Sequence, residues 1–138
     1  MPRSASGPLP KCKTILTCAR TIIDTITRDV FLHNVFSSFK IKGQPGTTAP
    51  FSLFVQLTGG QGDYEIAAEF HDLEDGKALC RNVGAFRMGD RLELVNVYFD
   101  FGPIAVSHAG RFYLIVFVNG QEVDQLSIAV HDITIGGR

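Results

Sequence analysis

A chain of 138 residues suits one domain and is too short for two independent cores. At 45% hydrophobic and 20% charged residues the composition is globular, which excludes a disordered chain. A formal net charge of -1 supplies no global field for nucleic acid or acidic membranes, and no apolar run reaches the roughly 18–20 residues of a membrane helix.

Residues 1–12 contain Pro2, Pro8 and Pro10 around a Ser-Ala-Ser-Gly run and read as a flexible tail. They lack the apolar stretch of a secretory signal, so a cytoplasmic protein is the expectation. Cys12, Cys18 and Cys80 are odd in number and show no C-x-x-C spacing, which points to reduced thiols. Cys12 and Cys18 lie an even number of positions apart, so on one strand they are expected to share a face too far apart to bridge.

Residues 14–24 are rich in Thr and Ile, whose branched side chains favour strands. Ile22, Ile23, Ile26 and Val30 also fit a helical stripe, and Asp24 with Arg28 makes a helix-type pair. The choice over residues 19–30 between a helix and strand-turn-strand therefore stays open. Four threonines favour a strand, a turn at 25–28 and a returning strand at 30–36. Residues 37–50, with Gly43, Pro45, Gly46 and Pro50, read as a surface connection.

Strict alternation follows. Phe51, Leu53, Val55 and Leu57 take one face, and after the glycine-rich turn at 58–62, Tyr64, Ile66, Ala68 and Phe70 do the same. This predicts an antiparallel hairpin with one buried face. Asp75-Gly76 is a turn signal leading to a strand at 77–83, and residues 84–90 read as a loop. Residues 91–101 predict one long strand with a bulge, because the apolar face switches between Leu94 and Val95. Gly102-Pro103 and residues 107–110 flank a short connection. Asn119-Gly120 supplies the positive φ angles of a type I′ turn joining strands at 111–119 and 121–131. Residues 133–138 are a short tail. About eight strands in a single domain at 13–132 predict an all-β, two-sheet antiparallel β-sandwich, immunoglobulin-like or jelly-roll-like.

Three blocks carry a resemblance. They are Ile15-Leu16-Thr17-Cys18 through Val35-Phe36, Phe51 through Gly60 with Gly62-Asp63-Tyr64-Glu65, and Gly110-Arg111-Phe112-Tyr113 with residues 119–123. Together they resemble an uncharacterised bacterial family of small β-sandwich proteins known as a domain of unknown function. Ala19-Arg20 replaces the acidic residue that usually follows the cysteine there, and Phe31, His33 and Asn34 depart from its small and aliphatic choices. The resemblance implies a sandwich over most of residues 13–131, adds weight to a strand at 14–24, and implies no activity.

No catalytic, cofactor or metal site is expected. His71-Asp72 and His131-Asp132 are neighbours on strands, so their side chains point to opposite faces, and surface histidines are the expectation. Ser107-His108 has no G-x-S-x-G elbow around it. Residues 72–76 lack the alternating oxygen ligands of a calcium loop and read as a solvated turn. Gly59-Gly60-Gln61-Gly62 matches no phosphate-binding loop. Cys80 beside Arg81 reads as a buried strand thiol.

Eleven phenylalanines are the remaining signal. Phe31, Phe36, Phe39 and Phe54 fall outside the neatest inward sets, while Tyr113, Ile115 and Phe117 give their strand a second apolar face. Surplus apolar surface must be covered, either by the chain's own loops or by an interface. The expectation is a non-enzymatic module that binds a protein partner or forms a homo-oligomer through Phe54, Tyr113, Ile115 and Phe117. The competing class is a small-ligand- or carbohydrate-binding sandwich, possibly enzymatic, with its site in the loops at 43–50, 84–90 and 103–110.

Overall fold

Branched and aromatic side chains at alternate positions place most of the chain in strands; a computed structural model describes residues 7–134. In chain order these are β1 Lys11–Ile23, β2 Val30–Phe36, β3 Ser38–Ile41, β4 Gly46–Thr47, β5 Phe51–Thr58 and β6 Gly62–Asp72. There follow β7 Ala78–Met88, β8 Val95–Phe101, β9 Ala105–Val106, β10 Gly110–Val118 and β11 Gln121–Asp132. One sheet has the order β2-β1-β5-β8, the other β3-β11-β10-β6-β7, and β4 with β9 forms a small third. The all-β sandwich is as expected. Among the described residues the strand count is eleven rather than eight, because the connection at 37–50 holds β3 and β4 and the one at 102–109 holds β9.

The core lies between the two large sheets. Phe51, Leu53, Val55 and Leu57 of β5 meet Ile66, Ala68 and Phe70 of β6 and Phe112, Leu114, Val116 and Val118 of β10. That arrangement corrects the hairpin expected over 51–70. β5 and β6 do not pair; β5 lies between β1 and β8, and β6 between β10 and β7. The turn after β5 carries the chain across the sandwich, so both strands show the core an apolar face from opposite sides. Alternation reports a buried face and leaves the neighbouring strand unspecified.

That crossing is tightly built. Tyr64 Oη receives a hydrogen bond from Gln61 N at 2.8 Å and donates to Pro8 O at 2.7 Å. A Cβ on Gly60 would stand 2.8 Å from Met88 Sδ and from Pro10 Cγ, so only glycine fits there. Gly7 N also donates to Gln61 O, and Pro10 is buried. Residues 7–12 are therefore docked, and the first strand begins at Lys11; this corrects the tail expected over 1–12. The parts of the expected tails at 1–6 and 135–138 lie outside the described residues. Tyr64→Phe is expected to lower stability by about 1–2 kcal/mol in urea unfolding, since it strands Pro8 O and Gln61 N.

Residues 14–23 belong to a strand and 25–27 to a turn, which settles the helical alternative. A bulge between Cys12 and Thr14 turns Cys12 toward the core, while Cys18 pairs with Ser52 on the outer face. The two thiols thus do not share a face. All three cysteines are free. β7 runs on through the loop expected at 84–90, held by the Tyr64–Phe86 and Asp63–Arg87 register with β6. The slip expected in a strand over 91–101 is instead the strand's beginning: Leu92 and Leu94 precede β8 and are exposed. The Asn119-Gly120 hairpin forms as expected, with φ of 48° and 83° at its two turn residues.

Candidate functional site

β1 leaves the sandwich before it ends. Its pairing with β5 stops at Cys18–Ser52, whereas its pairing with β2 continues to Ile23–Val30. Residues 20–23 and 30–33 form a two-stranded ribbon that projects past β5. Asp24 builds the tip: its Oδ1 accepts Ile26 N at 2.8 Å and Thr27 N at 3.0 Å, and its carbonyl accepts Arg28 N. The Thr27 and Ile26 amides hold the Asp24 carboxyl below the usual carboxylate range.

This ribbon shows water its apolar side chains. Ile22 and Phe31 are directly opposed and 43% and 55% exposed; Ile26 at the tip is 89% exposed. Val35, where β2 rejoins the sheet, is 54% exposed. Asn34, with φ of 60°, sits between the Cys18–Val35 and Arg20–His33 pairs and kinks β2 there. Asparagine tolerates that left-handed backbone better than a branched residue would.

The four residues expected to form a contact surface are not brought together. Phe54 lies on the outer face of β5 between its partners Leu16 and Tyr98 and is only 7% exposed. It is covered within its own chain, which removes it from the expected surface. Tyr113, Ile115 and Phe117 lie on the outer face of β10 and are half-buried. Polar strands flank them: Ile115 stands between Gln125 and Glu69. Glu69 binds His71 Nε2 at 2.7 Å and Arg81 Nε at 3.0 Å. Phe117 borders a small surface depression with Ala67 and Val83. Of the surplus phenylalanines, Phe39 is buried edge-on between Phe36 and Phe51, and Phe31 alone is exposed.

Two of the three loops expected to form a ligand site do meet, but they fill their own space. β4 pairs with β9, Thr48 N donates to Ile104 O, and Ile104 N donates to Thr48 Oγ1. Thr48, Ile104 and Val106 are buried beneath them. Gln44 links this end to the last strand, accepting from Ala109 N and donating to Asp132 Oδ2. The Thr134 hydroxyl and amide, the Gly43 amide and the Gln44 side chain hold the Asp132 carboxyl far below its usual range.

Beside these loops lies a pair that sequence reasoning missed. Asp72 is buried rather than solvated; its Oδ1 accepts Glu74 N, and its Oδ2 faces His108 Nε2 at 2.8 Å. His108 Nδ1 faces the carbonyl of Ala109, and the ring stacks on Phe112 at 5.3 Å. Both nitrogens meet acceptors, so the imidazolium satisfies the site best and neither nitrogen remains to take a proton from a nucleophile. The Ala109 carbonyl and the Asp72 carboxylate raise the His108 pKa above its ordinary 6.5 against some opposing burial. The folded state thus holds this proton more tightly, and the stability it contributes is full below about pH 6.5 and lost as pH rises through the folded value. Urea midpoints are expected to fall on the alkaline side and to flatten in His108→Phe. Thirty-six residues separate the partners, and the β6–β10 ladder, which sets Asp72 opposite Phe112, brings them together.

Cys12 is pushed up to about 12 by burial and by Asp124, which makes it an unreactive thiol at neutral pH. Among the described residues no group of three or more His, Cys, Asp or Glu is placed to hold a metal ion. No helix there is long and apolar enough to cross a membrane.

No family model matches the chain, and no curated protein matches it. Solved structures similar to it include the alkylpurine DNA glycosylase AlkC of Pseudomonas fluorescens bound to DNA containing an abasic site analog. There the identity is 10% and the TM-score 0.46; the match covers 85% of this chain and spans 30% of that one. An immunoglobulin-like protein from Pseudomonas aeruginosa is 12% identical with a TM-score of 0.40, covering 89% of this chain and 97% of that one. A CARDB domain from Pyrococcus furiosus, in complex with di-metal ions, is 9% identical with a TM-score of 0.40, covering 89% and 94%.

Proposed function

We propose that this chain is a non-enzymatic interaction module of the small bacterial β-sandwich family its strand blocks resemble, working in the cytoplasm and binding a protein partner or a second copy of itself. The observation that carries the reading is the projecting ribbon, whose Ile22, Ile26 and Phe31 side chains face water. A lone two-stranded ribbon is marginal in water, and apolar groups gathered at one place on it are stabilised when a partner covers them. A second apolar area, Val83 with half-buried Phe117 and Ile115, lies on the opposite sheet and is interrupted by the Glu69 ion pairs.

Light scattering over a concentration series tests the reading. The wild type is expected to gain mass with concentration, and Ile22→Ser/Phe31→Ser to remain at the monomer mass with its unfolding midpoint nearly unchanged. A wild-type mass that stays monomeric throughout would overturn self-association.

A further inference from the structure

Each large sheet ends in two edge strands, and three of the four are guarded. β7 carries Arg81 and Arg87, β3 has four residues and includes Lys40, and the β8 backbone is capped where Asn82 Nδ2 donates to Asp100 O at 3.0 Å. Charge, shortness and capping are the usual devices against edge pairing. β2 has β1 on one side and, among the described residues, no strand on the other. Its stretch before the Asn34 kink reads Val30, Phe31, Leu32, His33, without Lys, Arg, Asp, Glu or Pro.

We infer that residues 30–33 of β2 pair antiparallel with the same residues of a second copy about a two-fold axis, joining two four-stranded sheets into one. This rests on the self-association reading and names its surface. Antiparallel pairing is the arrangement that makes a strand its own complement under a two-fold. Opposed residues share a sheet face, so about an axis at Phe31 the ring meets its own copy and Val30 meets Leu32, an aromatic and an aliphatic pair of favourable cross-strand neighbours. Self-pairing of β7 about Gly84 would instead set Arg81 against Arg87 of the other copy. Pairing at β2 also gives the ribbon a third and fourth strand, which it needs for independent stability.

The test is a single-cysteine scan of the purified full chain in a Cys12→Ser/Cys80→Ala background, keeping Cys18, which is fully buried. Opposed residues in an antiparallel pair stand about 4.5–5.5 Å apart at Cα, within disulfide reach. Val30→Cys, Phe31→Cys, Leu32→Cys and His33→Cys are expected to include the dominant disulfide-linked dimer, with Val83→Cys giving none. In the wild type, the amides of residues 30–33 are expected to slow in hydrogen exchange as concentration rises, a readout independent of any variant. Dimers that crosslink through Val83→Cys and leave those amides unchanged would overturn this pairing while self-association stands. A strictly monomeric protein would remove both.

Discussion

Phe70→Ala is expected to lower the unfolding free energy by about 3–5 kcal/mol, the cost of emptying a fully buried aromatic site. Phe70 has no exposed surface, stacks on Phe112 at 5.4 Å and 15°, and meets Phe39 and Phe51 at 6.0 and 6.4 Å. One ring therefore contacts its own sheet and, through Phe51, the opposing one. Neighbours fixed on two sheets cannot collapse fully into the void. Domains of this size hold roughly 5–15 kcal/mol in all, so the variant approaches the edge of folding. Urea midpoints with an unchanged slope would measure the loss. Phe31→Ala, at a half-exposed ring, is expected to stay within about 1 kcal/mol of the wild type. Equal losses in the two variants would contradict the burial assigned to them.

Asp72→Ala is expected to cost roughly 2–4 kcal/mol below pH 6.5. The carboxylate is buried and serves two donors, Glu74 N and His108 Nε2, at the point where β6 ends. Removing it leaves a turn amide without its acceptor and the half-buried ring nitrogen with only the Glu74 carboxylate, at 3.6 Å. The alkaline fall in stability should also shrink, because one of the partners that favour the His108 proton is gone while the Ala109 carbonyl remains. Asp72→Asn keeps one acceptor and is expected to lose less. A variant as stable as the wild type at every pH would show that the pair contributes nothing to holding the loops.

Much of the fold is legible because strand patterning and turn chemistry are local. Asn119-Gly120 names a turn type, and the turn names the two strands it joins. The threonines of β1 favour a strand over the helical stripe of Ile22, Ile26 and Val30, and the structure agrees. Partner choice is a different matter. β5 and β6 alternate as a hairpin would, yet each pairs elsewhere, because a core face looks the same from either sheet. Gly84 reads as a break, although the ladder from β6 carries β7 straight through it. The surface reading fails in the same way at Phe54, which neighbours on β1 and β8 cover. The sequence does mark Phe31 as surplus; only the early end of the β1–β5 ladder shows why it stays exposed. His108 and Asp72 give no signal, since their nearness depends on β6 choosing β10 as its neighbour, which sets Asp72 opposite Phe112.

Sedimentation velocity of the wild type beside Phe31→Lys, over one concentration series at neutral pH, is the most direct measurement of the proposed self-association. A sedimentation coefficient that climbs with concentration in the wild type and stays flat in the charged variant is the predicted result. A flat wild-type coefficient, or an equal climb in both, would contradict an interface built on the ribbon.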